Sequence, residues 1–137
     1  MLLNERALRW ILIAFGAYHV VTGLLAMVAP DTFFGDIGRY GAENSHYVGD
    51  VGAFTLAAGI ALIVAAYRPS WRVPILGLAA FWYGLHAINH AFDTDEARSD
   101  ARGWLDTGLL ALGACLAAYL ASVAARLQRE AGGITQA

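Results

Sequence analysis

Lysine is absent from this chain, proline occurs three times, and cysteine occurs once, at Cys115. A lone thiol excludes an intrachain disulfide scaffold. Charge is scarce: 15% of the residues are charged, where an ordinary soluble domain carries ~25%. The formal net charge is only -2 and no basic stretch occurs, so the electrostatic footprint of a nucleic-acid-binding protein is missing and no nucleic-acid partner is expected. Disorder requires low hydrophobicity with high charge, and this chain has the opposite balance. G-x-G-x-x-G, P-loop, C-x-x-C and nucleophile-elbow sequences are also absent, which leaves nucleotide and thiol chemistry without a foothold. The paired histidines read His86-Ala-Ile-Asn-His90, not the H-E-x-x-H of a zinc protease.

What fills the chain is apolar surface: 58% of its 137 residues are hydrophobic and the mean hydropathy is +0.52. Four stretches carry no charge, Trp10 to Pro30, Val51 to Tyr67, Val73 to Phe92 and Thr107 to Ala125. Each approaches the ~20 residues a helix needs to cross a bilayer. Polar residues are tolerated near span ends, and Trp10, Tyr67, Trp71 and Trp104 stand where interfacial aromatics are favoured. The pattern predicts an all-α, integral membrane, four-helix antiparallel bundle. It forms one transmembrane domain over 1–137, with spans at about 8–30, 46–67, 71–92 and 105–126. The first apolar run is longer than the core of a secretory signal and lacks a clear cleavage site, so it reads as a retained span.

Orientation follows from the arginines, because positive charge is held on the cytoplasmic side. Arg6, Arg9, Arg68, Arg72, Arg126 and Arg129 lie at the two termini and the hairpin between spans two and three, while the other two connections are rich in acid. Both termini are therefore expected in the cytoplasm. Pro69 and Pro74 bracket that hairpin with Ser70 as a cap, which predicts that spans two and three are neighbours. The connection from Asp31 to Asn44, with Phe33, Phe34 and three glycines, is expected to dip into the outer interface. The small, polar tail from Glu130 to Ala137 is expected to be mobile.

Small residues mark close helix contacts in lipid. Gly113, Ala117, Ala121 and Ala125 recur every four residues in the fourth span, with Ala114, Ala118 and Ser122 beside them. Gly16 and Gly23 in the first span and Gly59 in the second are less ordered signals of the same kind.

The informative residues are those a membrane excludes: His19, His46, Asp50, His86, Asn89, His90, Asp93 and Asp106. Ionisable groups within spans face the bundle interior and are functional candidates. His46 with Asp50, and His86 with His90, are four apart and share a helix face. His86, Asn89, His90 and Asp93 form one strip running toward the outer end of span three. The predicted topology brings His46, Asp50, His86, His90 and Asp106 to one depth from three helices. His19 lies deeper, about 16 Å below the outer end at ~1.5 Å per residue.

Three chemistries use such a set. A transition metal ion (zinc, iron or copper) fits a site of His86 and His90 with His46 or Asp50, and Asp106 as a further ligand or an orienting group. Haem fits an axial pair such as His19 and His86. Proton relay or cation passage would use the same groups, with acidic loops concentrating cations at the mouth. Redox or hydrolytic chemistry would follow from a metal or haem. The competing account is a non-enzymatic membrane subunit whose polar groups hydrogen-bond across helices and fix their register. Asp50 and Asp106 also suit helix N-termini, where carboxylates are stabilised. The lipid bilayer is the expected partner, with a second copy or another membrane subunit completing the assembly.

The segments Glu43-Asn44-Ser45-His46-Tyr47-Val48-Gly49-Asp50-Val51-Gly52-Ala53 and Leu85-His86-Ala87-Ile88-Asn89-His90 resemble a group of small actinobacterial four-helix membrane proteins that are loosely DoxX-like. The resemblance covers Trp10 to Ala125. It implies the architecture; the spans themselves predict a multi-pass place in a bacterial cytoplasmic membrane, and the arginine distribution puts the polar site on the extracytoplasmic side.

Overall fold

The computed structural model describes residues 3–134 and shows an all-α protein with five helices. They are α1 (Glu5–Val28), α2 (Pro30–Asp36), α3 (Ser45–Tyr67), α4 (Pro69–Phe92) and α5 (Asp100–Ile134), with a 3-10 turn at Thr94–Glu96 before α5. Helices α1, α3 and α5 are long and apolar enough to cross a membrane. Helix α4 has 24 residues but carries Arg72, His86, Asn89 and His90, and it falls below that apolarity. The outward faces of the long helices remain apolar, with Val21, Leu24, Phe81, Leu85 and Leu112 exposed. Surface of that kind marks a membrane or partner interface.

Local chemistry sets the boundaries. Asn4 caps α1 through a bond from the Ala7 amide at 2.9 Å. Asn44 caps α3, its side-chain oxygen accepting from the His46 and Tyr47 amides at 3.1 and 3.3 Å. The cap of α3 is therefore Asn44, and Asp50 lies beyond the first turn. Pro30 and Pro69 open α2 and α4, where a missing N–H costs nothing and the fixed φ suits a helix start. Ser70 is consequently inside α4 and does not cap it. Helix α5 runs past Glu130 to Ile134; the rest of the predicted tail, 135–137, lies outside the described residues.

The bundle is built as two tight antiparallel pairs, α1 with α3 and α4 with α5. In the first pair, Gly16 meets Gly59 and Gly23 meets Gly52. A Cβ on Gly59 would lie 2.7 Å from the Gly16 carbonyl oxygen, and one on Gly23 would lie 2.5 Å from the Leu56 amide nitrogen. Backbone on both sides leaves no room for a side chain, which is how small residues permit helix association without a hydrophobic driving force. In the second pair, Gly113 faces the Tyr83 ring of α4 and Ala117 is buried, while Ala121 and Ala125 of the same row are half-buried. Ala118 and Ser122 in the parallel row are exposed. Helices α3 and α4 are joined by the short hairpin, yet they pack less closely on each other than on α1 and α5.

The two pairs close on one another at the end holding the chain termini. Leu8, Leu12, Leu62, Ala66, Leu76, Leu120, Val123 and Ala124 form one core there. Buried Arg72 ties this end together: it donates to Glu5 Oε2 at 2.6 Å and to the carbonyls of Ala65 and Ala66 at 3.2 and 3.4 Å. Those carbonyls belong to the last turn of α3, which has no partners within the helix. Arg126 donates to the Leu3 carbonyl and Gln128 to the Pro69 carbonyl. Toward the opposite end the pairs separate.

Candidate functional site

A cavity of about 560 Å³ opens where the pairs separate. Its walls come from α1 (Tyr18, His19, Thr22), α3 (Val48, Val51, Thr55), α4 (Trp82, Tyr83, His86, His90) and α5 (Arg102, Asp106, Leu109, Leu110). Phe33 and Phe34 of α2, with Ile37, Gly38, Tyr40 and Ala42, complete the lining. The connection expected to dip into the interface therefore folds over the cavity. Gly38 permits this, since a Cβ there would meet the Phe33 ring at 2.8 Å. Gly41, at φ +59°, turns the chain so that its amide donates to the Glu96 carbonyl at 3.1 Å. Tyr40 bridges to Ala97 beside it, and Arg98 donates to the Gly35 carbonyl. Two loops distant in sequence thus clasp and set Tyr40 over His90, their ring centroids 4.1 Å apart.

His19 forms the floor and is 2% exposed. Its Nδ1 lies 2.7 Å from the Phe15 carbonyl oxygen, an acceptor, so Nδ1 carries the proton. In the neutral ring Nε2 then accepts the Tyr83 hydroxyl, 2.8 Å away. Glycines make room for both rings: a Cβ on Gly59 would meet His19 Cβ at 2.9 Å, and one on Gly113 would meet the Tyr83 ring at 2.9 Å. Both nitrogens of His19 are thus engaged within the protein, whereas its suggested haem partner His86 keeps an unpartnered Nδ1.

His86 and His90 stand together on α4, their ring centroids 4.6 Å apart, as their spacing predicts. The Nδ1 atoms of both are buried without a hydrogen-bond partner. Asp106 joins them in the lining, held by Arg102 Nε at 2.9 Å. Burial raises the Tyr40 phenol above its ordinary range, and the field of the Asp106 carboxylate adds to that.

His46 and Asp50 do not join. Their side chains are 82% and 65% exposed and lie 3.6 Å from one another on the outer flank of α3. His46 lines no part of the cavity. Asp50 borders a neighbouring groove of about 420 Å³ with Val51, Phe54, Trp82, Leu85, His86 and Asn89. Asn89 donates to Asp93 at 3.2 Å along the outside of α4. Among the described residues, no three His, Cys, Asp or Glu side chains are grouped to hold a metal ion. Exposure of His46 and Asp50 on the flank of α3 keeps them out of the cavity that holds His86, His90 and Asp106, so the three-ligand set is not assembled.

Sequence reasoning missed Tyr40 and the enclosing role of Phe33, Phe34 and Ile37. The signal available was the aromatic content of a connection rich in glycine. Tyr83 and Trp82 also line the cavity. No protein-family model, curated protein or solved structure matches the chain, so the resemblance to DoxX-like proteins gains no support from them.

Proposed function

We propose that this is a multi-pass protein of a bacterial cytoplasmic membrane that binds a small, uncharged molecule in the cavity between its two helix pairs. In this reading α4 is the fourth span, its polar residues turned into the bundle, and both termini are cytoplasmic. The arginine-rich termini and hairpin support that orientation, which directs the cavity to the extracytoplasmic side.

The observation that carries the ligand reading is that His86 and His90 line one cavity together, with no protein group bonded to their Nδ1 atoms. A buried polar atom without a partner costs ~1–3 kcal/mol, and such groups converging in an otherwise apolar cavity are the mark of a small-molecule site. Acid and guanidinium occur once each in the lining, as Asp106 and Arg102, and they neutralise one another. The site therefore favours a ligand without net charge, hydrogen-bonded at His86 and His90 and stacked on Trp82 or Tyr40.

The test uses protein in phosphatidylcholine nanodiscs with Trp82 as its sole tryptophan, after replacing Trp10, Trp71 and Trp104 by Phe. Para-bromophenol, small and neutral at pH 7, should quench Trp82 saturably. His86→Leu with His90→Leu should abolish the saturable component, and His46→Ala should leave it intact. Linear quenching of equal slope in all three proteins would overturn the proposal.

A further inference from the structure

The groove beside the cavity is not a separate feature. Val51, Trp82 and His86 line both spaces, so His86 is reached from two sides, with Trp82 as the partition between them. Trp82 is held as a wall by its neighbours, its ring 5.2 Å from Phe54, 4.9 Å from Tyr83 and 5.8 Å from His86 between centroids. The groove runs along the α3/α4 seam, the looser junction of consecutive long helices. Its apolar rim consists of Val51, Phe54 and Leu85, all exposed on the outward face of the bundle, which faces hydrocarbon if the helices span a membrane. Its polar end, at Asp50 and Asn89, lies toward the helix ends where headgroups begin.

We infer that the ligand of the cavity is a membrane-dissolved amphiphile with an uncharged hydrogen-bonding head, which sits at His86 and His90 while its alkyl chain leaves through the α3/α4 groove over Val51, Phe54 and Leu85. This rests on the cavity reading above and adds the tail and its path. A water-soluble ligand would need only the cavity; the continuous apolar groove ending on the same histidine fits a molecule that is extracted from the bilayer laterally. The absence of unpaired charge in the lining selects an alcohol, phenol or carbonyl head over a carboxylate or phosphate.

The Trp82-only protein in nanodiscs distinguishes the parts. 6-Bromododecanol, its bromine close to the head, should quench Trp82 saturably, at mole fractions where a Trp71-only protein shows only the linear quenching of bromine dissolved in lipid. 6-Bromododecanoate, with the same chain and an anionic head, should bind about tenfold more weakly, or ~1.4 kcal/mol. Asn89→Phe, which fills the groove without touching the cavity lining, should weaken bromododecanol about tenfold and leave para-bromophenol unchanged. If para-bromophenol saturates but bromododecanol does not, or is indifferent to Asn89→Phe, the tail path is overturned and the cavity remains. Equal binding of alcohol and carboxylate overturns the choice of an uncharged head. If neither bromophenol nor bromododecanol saturates, the cavity reading falls with the inference.

Discussion

At the scale of single residues, burial separates the polar groups that hold the fold from those free to act. His19 and Tyr83 satisfy one another across α1 and α4, and their partners are complete. Tyr83→Phe removes the donor and leaves His19 Nε2 buried and unpaired. A loss of about 1–3 kcal/mol is expected in reversible denaturation in detergent. His19→Phe combined with Tyr83→Phe should cost less than the two single losses summed, and an additive double variant would contradict the pairing. Tyr40 gives a pH signature outside the spans. Its phenol is raised in the folded state, mainly by burial and next by Asp106, so the folded protein holds that proton more tightly than the unfolded chain. The stability this contributes is complete below the ordinary tyrosine value and is lost as pH rises through the raised one. Thermal stability should therefore fall on the alkaline side, and Tyr40→Phe should show a smaller alkaline loss than the parent protein.

At the scale of elements, the glycines decide which helices pair. Gly16, Gly23, Gly52 and Gly59 face backbone at under 3 Å from a would-be Cβ, whereas Gly77 and Gly108 have nothing within 4 Å. Gly59→Ala should destabilise by about 1–3 kcal/mol, because neither helix backbone can give way cheaply. Gly77→Ala should be neutral or stabilising, since alanine restricts the unfolded chain and favours helix by ~0.5–1 kcal/mol. Equal effects in a detergent unfolding assay would refute the close α1/α3 contact. The sequence made the α5 contact row legible because its small residues recur every four positions. The α1/α3 pairing was faint because its glycines are seven apart and become a pattern only when antiparallel register sets Gly16 on Gly59 and Gly23 on Gly52. The hairpin between α3 and α4 was legible from Pro69, yet adjacency in the chain did not make these helices the most intimate pair. Glycine and alanine faces elsewhere took that place.

At the scale of the whole molecule, a bundle closed at one end and open at the other emerges from where apolar and polar residues fall along the helices. Leucines and alanines fill the end fastened by Arg72 and Glu5, while histidines and aromatics occupy the end where the pairs part. The convergence of His86, His90 and Asp106 was legible, because helix period and chain reversal fix depth and neighbouring faces. The rotation of α3 was not: apolar residues surround that helix almost evenly, so its sequence does not say which face turns inward, and His46 with Asp50 lies outside. Nor was the loop clasp at Gly41 legible, since it depends on contact between segments more than fifty residues apart in the chain. The orientation of the cavity and its occupancy make up the central claim, and one labelling measurement reaches both. Thr55 lines the cavity, and Thr55→Cys in a Cys115→Ser background places one thiol within it. A small membrane-impermeant thiol reagent added to the extracytoplasmic side of oriented vesicles should modify that cysteine, and para-bromophenol should slow the reaction in a saturable way. Modification only from the cytoplasmic side, or a rate indifferent to para-bromophenol, would contradict the account.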